Sequence, residues 1–98
     1  MEKRVESWYK KVNNGTKTLE EFAEYLDQTK MFEMTLGGWT KLQAVLTGLV
    51  FANSGKGYLY DLDFTMENGL QCCKLLISKR DKYKVKAEGV YTFQVKIV

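Results

Sequence analysis

Apolar residues recur at helical spacing from the start of the chain. Val5, Trp8, Tyr9 and Val12 fall at i, i+3, i+4 and i+7, one stripe of a helix. Asn13-Asn14-Gly15 then supplies residues that tolerate the left-handed conformation of a helix C-cap. Leu19, Phe22, Ala23 and Leu26 repeat the spacing in a second helix. Thr18 before it, with Glu21 three residues on, has the form of a capping box. From Thr40 to Ala52, Leu42, Val45, Leu46, Leu49 and Val50, with Trp39 just ahead, suit a third helix following the Gly37-Gly38 break. The same stretch, with its Val and Thr content and Gly48, also reads as a buried strand, and its length favours helix. Met31 to Leu36 reads as a short strand or an irregular link.

Beyond Asn53-Ser54-Gly55-Lys56-Gly57, a loop by composition, the period changes from 3.6 to 2. Tyr58, Tyr60, Leu62 and Phe64 alternate with Leu59, Asp61, Asp63 and Thr65, the signature of a half-buried strand. Asn68-Gly69 supplies the two positive φ angles of a type I′ hairpin turn. That turn sets a register: Tyr60 faces Ile77, Leu62 faces Leu75, Phe64 faces Cys73, and Asp63 meets Lys74 on the opposite face. A second hairpin is expected between Lys82–Lys86 and Val90–Ile97, with Ala87-Glu88-Gly89 as its loop. It would set Tyr83 against Phe93 and Val85 against Tyr91. The predicted architecture is α+β: N-terminal helices followed by a four-stranded antiparallel β-meander, all within one domain of residues 1–98.

Composition narrows the chemistry. With no histidine among 98 residues, Ser–His or Cys–His catalysis, imidazole metal ligation and a histidine pH switch are all excluded. The two cysteines, Cys72 and Cys73, are adjacent, so they form neither a disulfide framework nor a four-cysteine metal site. As strand neighbours they point to opposite faces, with Cys73 opposite Phe64 as a buried, inert thiol. Gly55-Lys56 resembles a phosphate loop only in part: Val50 stands where its first Gly belongs, and Gly57 where Ser or Thr would bind magnesium. Asp61, Asp63 and Glu67 share a strand face but lack the Glu-x-Lys that a nuclease-type metal site would need on the facing strand. No cofactor, metal or catalytic residue is expected, and the chain reads as non-enzymatic.

Charge is unevenly distributed. From Lys74 onward there are seven basic residues and two acids, whereas the first 73 residues carry eight basic and ten acidic ones. Alternation in the expected second hairpin would put Lys82, Lys84, Lys86 and Lys96 on one sheet surface, with Lys79 and Arg80 at its edge. Such a face suits an acidic protein or a row of phosphates. Lysine rather than arginine dominates it, so nucleic-acid contact would be to backbone and not to base edges. A weaker candidate contact is the acidic face of the second helix, Glu20, Glu21, Glu24 and Asp27. Those four carboxylates argue against a DNA-recognition helix. Met31, Phe32 and Trp39, which the periodicities do not place, are of the types that anchor interfaces as well as cores.

The functional expectation is therefore a small protein-binding module. One small domain with no catalytic constellation and opposite charge on its two parts is similar in kind to phage- or mobile-element-encoded inhibitors of larger host machines, anti-CRISPR proteins among them. The likeness covers no particular stretch of the chain. It implies a larger protein or protein–nucleic-acid complex as partner and a cytoplasmic location. The alternative is sequence-nonspecific nucleic-acid binding through the lysine face; homodimer formation is compatible with either. The most apolar stretch, Ala44 to Ala52, is far shorter than the ~20 residues of a membrane-spanning helix.

Overall fold

The computed structural model describes residues 2–55, 57–82 and 84–98. In chain order its elements are α1 (Lys3–Asn13), α2 (Leu19–Thr29), β1 (Met31–Met34), α3 (Leu36–Asn53), β2 (Tyr58–Glu67), β3 (Leu70–Asp81) and β4 (Lys84–Ile97). Two of the helices start on a threonine. The Thr18 hydroxyl accepts the Glu21 N–H while the Glu21 carboxylate accepts the Thr18 N–H, each at 3.1 Å, completing the capping box. Thr35 accepts the Gly38 N–H at 3.1 Å and starts α3 four residues before Thr40. Gly37 and Gly38 are therefore the first turn of α3 and not a break before it. Among the described residues no helix is long and apolar enough to cross a membrane.

The β2–β3 hairpin has the register read from Asn68-Gly69, with Tyr60 on Ile77, Leu62 on Leu75, Phe64 on Cys73 and Asp63 on Lys74. Both turn residues take positive φ, 52° and 78°. The rest of the sheet corrects the expected antiparallel meander. The strand order is β1-β4-β3-β2, and β1 pairs parallel to β4, Met31 on Gln94 through Met34 on Ile97. The fourth strand is thus the short link after α2.

The expected second hairpin is also corrected. The chain reverses after Asp81, with Lys82 at φ 53°, and β4 then runs unbroken through Ala87-Glu88-Gly89. Leu75 faces Tyr91, and Val85 faces Arg80 instead of Tyr91. Tyr83 lies outside the described residues. The misleading signal was Gly89, read as a turn glycine. A Cβ on Gly89 would lie 2.9 Å from the Tyr91 hydroxyl and 3.1 Å from its ring, so the glycine makes room for an aromatic laid along its own strand.

One face of the sheet packs on the helices. Phe22, Leu26, Leu42, Leu46, Val5 and Val95 are fully buried, and Trp39 and Phe32 are 2% exposed. Trp39 packs edge-on against Phe64 and Phe93, with centroids 5.6 and 6.2 Å apart, and Phe32 does the same on Phe93 at 5.7 Å. Both residues are core anchors. Met31 alone of the three unplaced side chains is exposed.

Candidate functional site

The alternation that buries Leu75, Ile77, Phe93 and Val95 and half-buries Tyr91 leaves the other face of β2, β3 and β4 without a covering layer among the described residues. On that face Leu76 sits directly opposite Val90, and Leu59 is opposite Ser78, one row along. Leu59 is 47% exposed and Val90 53%, while Leu76 is half-buried. The apolar row was half legible. The Asn68-Gly69 register already sends Leu76 to the polar side, but Val90 joins it only because the reversal comes after Asp81.

From Lys79 to Glu88 every described residue is exposed. β3 and β4 continue here past the start of β2, where Tyr58 pairs with Lys79 and the Gly57 carbonyl accepts the Arg80 N–H, so their end projects as a two-stranded arm with Lys79 and Arg80 at its base. The 44 Å longest dimension of the molecule is about the length of fourteen extended residues, the span of β4. The arm carries Lys79, Arg80, Lys82, Lys84 and Lys86 against Asp81 and Glu88.

Their arrangement differs from the expected single lysine surface. Lys79 pairs with Ala87 but Arg80 pairs with Val85, so Lys86 is the extra residue of a β-bulge. The bulge exchanges the two sides of the strand. Val85, 51% exposed, shares the uncovered face with Arg80, and Lys84 goes to the other side with Asp81. The Lys79 ammonium lies 5.8 Å from the Tyr58 ring centroid, and Lys86 pairs with Asp81 at 3.4 Å. Lys96 does not belong to this group. It pairs with Glu33 of β1 at the opposite end of β4, roughly 33 Å along the strand from Lys86. The arm is basic on both its sides, with an apolar residue on one of them.

The acidic face of α2 is largely committed to the fold. Glu21 belongs to the capping box and also pairs with Lys17 at 3.6 Å. The Thr18 N–H holds its carboxyl below the usual glutamate range. Asp27 accepts from the Lys30 ammonium at 2.6 Å and from the Thr92 N–H at 3.0 Å. Glu20 and Glu24 lie close enough to Tyr91 to act on it: burial first, then these acids, raise the Tyr91 phenol. The four residues do not form one free acidic surface.

Cys73 is 2% exposed, and burial pushes its thiol up to about 12. Cys72, half-buried on the uncovered face, accepts a long contact of 3.7 Å from the Gln94 amide. Asp63 and Lys74 are cross-strand neighbours, yet they are not among the ion pairs of the described residues. Among those residues no three carboxylate or thiol groups come together as a metal site. The chain matches no protein-family model, no curated protein and no solved structure.

Proposed function

We propose that this chain is a non-enzymatic protein-binding module that grips an acidic surface of a larger protein or protein–nucleic-acid assembly with its basic arm. The observation that carries this reading is the continuity of the arm with exposed apolar residues. Val85 on the arm and Val90, Leu76 and Leu59 on the sheet occupy one uncovered face. Protein interfaces combine an apolar centre with a charged rim, and the lysines and Arg80 of the arm would form that rim. Rim charges speed encounter and select the partner, while the apolar centre holds it.

The ribbon form of the arm favours a second reading, since a two-stranded β-ribbon fits the major groove of duplex DNA. The two readings separate experimentally. Lys82→Glu with Lys84→Glu and Lys86→Glu reverses the sign of the arm's net charge, and Val90→Asn interrupts the apolar centre while leaving that charge unaltered. Under the protein-binding reading, a partner retained by the native chain is lost by both variants, with their circular dichroism unchanged. Under the nucleic-acid reading, Val90→Asn binds like the native chain. A generic duplex then binds with a log K against log salt slope of about −4.5 if five cations each neutralise a phosphate. Loss of neither complex on replacing the three lysines removes the arm from both readings.

A further inference from the structure

We propose that β2 is the docking edge for an extended, basic strand of a partner protein, a second site separate from the arm. The two edges of the sheet are built differently. β1 is four residues long, the usual protection for an outer strand, whereas β2 is ten residues long and, among the described residues, pairs with β3 alone. The Arg80 N–H donates to the Gly57 carbonyl at 2.7 Å, which makes residues 57 and 80 a hydrogen-bonded antiparallel pair. Bonded and non-bonded pairs alternate along such a ladder. The odd residues from Leu59 to Thr65 therefore bond to β3, and the backbone groups of Tyr60, Leu62, Phe64 and Met66 point out of the sheet. At the start of the strand the outward carbonyl of Tyr58 is taken by the Gly55 N–H at 3.4 Å. Among the described residues nothing takes the others.

The side chains of β2 state what the incoming strand must look like. Asp61 and Asp63 are exposed on the uncovered face, while Tyr60, Leu62 and Phe64 are half-buried on the helix side. A strand added to this edge places alternate residues beside each set, so it matches with Lys or Arg on one side and apolar residues on the other. The same two acids oppose pairing with a second copy. A two-fold about Leu62 sets Asp61 against Asp63 of the other molecule, and a two-fold about Asp63 sets that residue against itself. Like charges directly opposite are destabilising.

Residue-resolved amide exchange tests the site on the intact chain, because the geometry names which amides respond. The probe is an acetylated, amidated eight-residue peptide alternating Lys and Val, compared with its Glu–Val counterpart. Alone, the chain exchanges Tyr60, Leu62, Phe64 and Met66 quickly and Asp61, Asp63 and Thr65 slowly. With the Lys–Val peptide the first four become protected. The Glu–Val peptide has no effect, and N-methylation of every second amide of the Lys–Val peptide, on the side facing β2, abolishes protection. Asp61→Asn with Asp63→Asn weakens the peptide by about fivefold. Equal protection by the Glu–Val peptide overturns the proposal, as does none by the Lys–Val peptide at millimolar concentration. Protection that grows with protein concentration in the absence of peptide also overturns it, assigning the edge to self-association.

Discussion

The carboxylate of Asp27, at the end of α2, accepts the backbone N–H of Thr92 in β4 at 3.0 Å. β1 begins its pairing only at Gln94, so the N–H of Thr92 has no strand beside it, and the helix supplies the missing acceptor. The Lys30 ammonium, from the α2 C-cap, bonds the same carboxylate and also reaches Thr92. Together they hold the Asp27 carboxyl below its ordinary value of 3.8, the Lys30 bond being the larger cause and the Thr92 N–H the next. A depressed carboxylate stabilises the fold above its unfolded pKa and ceases to do so as pH falls through the folded one. Asp27→Ala is therefore expected to cost about 1 kcal/mol at neutral pH. Urea denaturation should show the gap between native and variant narrowing as the pH drops below 3.8.

Gly89 and Tyr91 should be coupled with a change of sign. Gly89→Ala in the native chain forces the Tyr91 ring aside and lowers stability. With Tyr91→Ala already in place the three atoms nearest the new methyl are gone, and the same change should stabilise by about 0.5–1 kcal/mol through the lost freedom of the unfolded chain. A double-mutant cycle by thermal or urea denaturation measures both arms. Equal effects in the two backgrounds would detach Gly89 from Tyr91.

The two cysteines should react at very different rates. Cys73 combines burial with a thiol pushed up to about 12, so an alkylating reagent near pH 8 should label the native chain once, at Cys72. Denaturation should release the second equivalent. Mass spectrometry of the digested product locates the label, and early modification of Cys73 would mean that β3 opens at this point.

Trp39 should behave as core. Truncation to Ala removes the ring that Phe64 and Phe93 pack against and is expected to cost about 3–5 kcal/mol. An interface residue would instead leave the melting curve nearly unchanged.

What was legible in the sequence was what local chemistry decides. The Thr18–Glu21 box, the Asn68-Gly69 turn and the stripes of α1 and α2 each rest on residues within a few positions of one another. α3 followed from length, although its cap at Thr35 was missed because Gly37-Gly38 reads as a breaker. The errors lie where a partner far along the chain decides. Met31–Met34 becomes a strand only because Gln94–Ile97 lies beside it. Gly89 resembles a loop residue until Tyr91 is placed over it. The same mistake misassembled the candidate site. Five of the six basic residues do gather on the arm, but a lysine face read by strict alternation cannot anticipate a bulge at Lys86, nor that Lys96 stands at the other end of β4.

The parallel pairing of β1 with β4 also orders events in time. Helices α1, α2 and α3 and strand β1 are all made before Phe93 and Val95, the β4 residues that close the core they share. As a ribosome delivers the chain, residues 3–53 can form their helices but have no sheet to lay them on. Pairing so distant in sequence is slow to find. Until Ile97 has emerged, Phe22, Leu26, Phe32 and Trp39 lack their β4 partners, and the nascent chain up to that point is an exposed apolar surface awaiting β4.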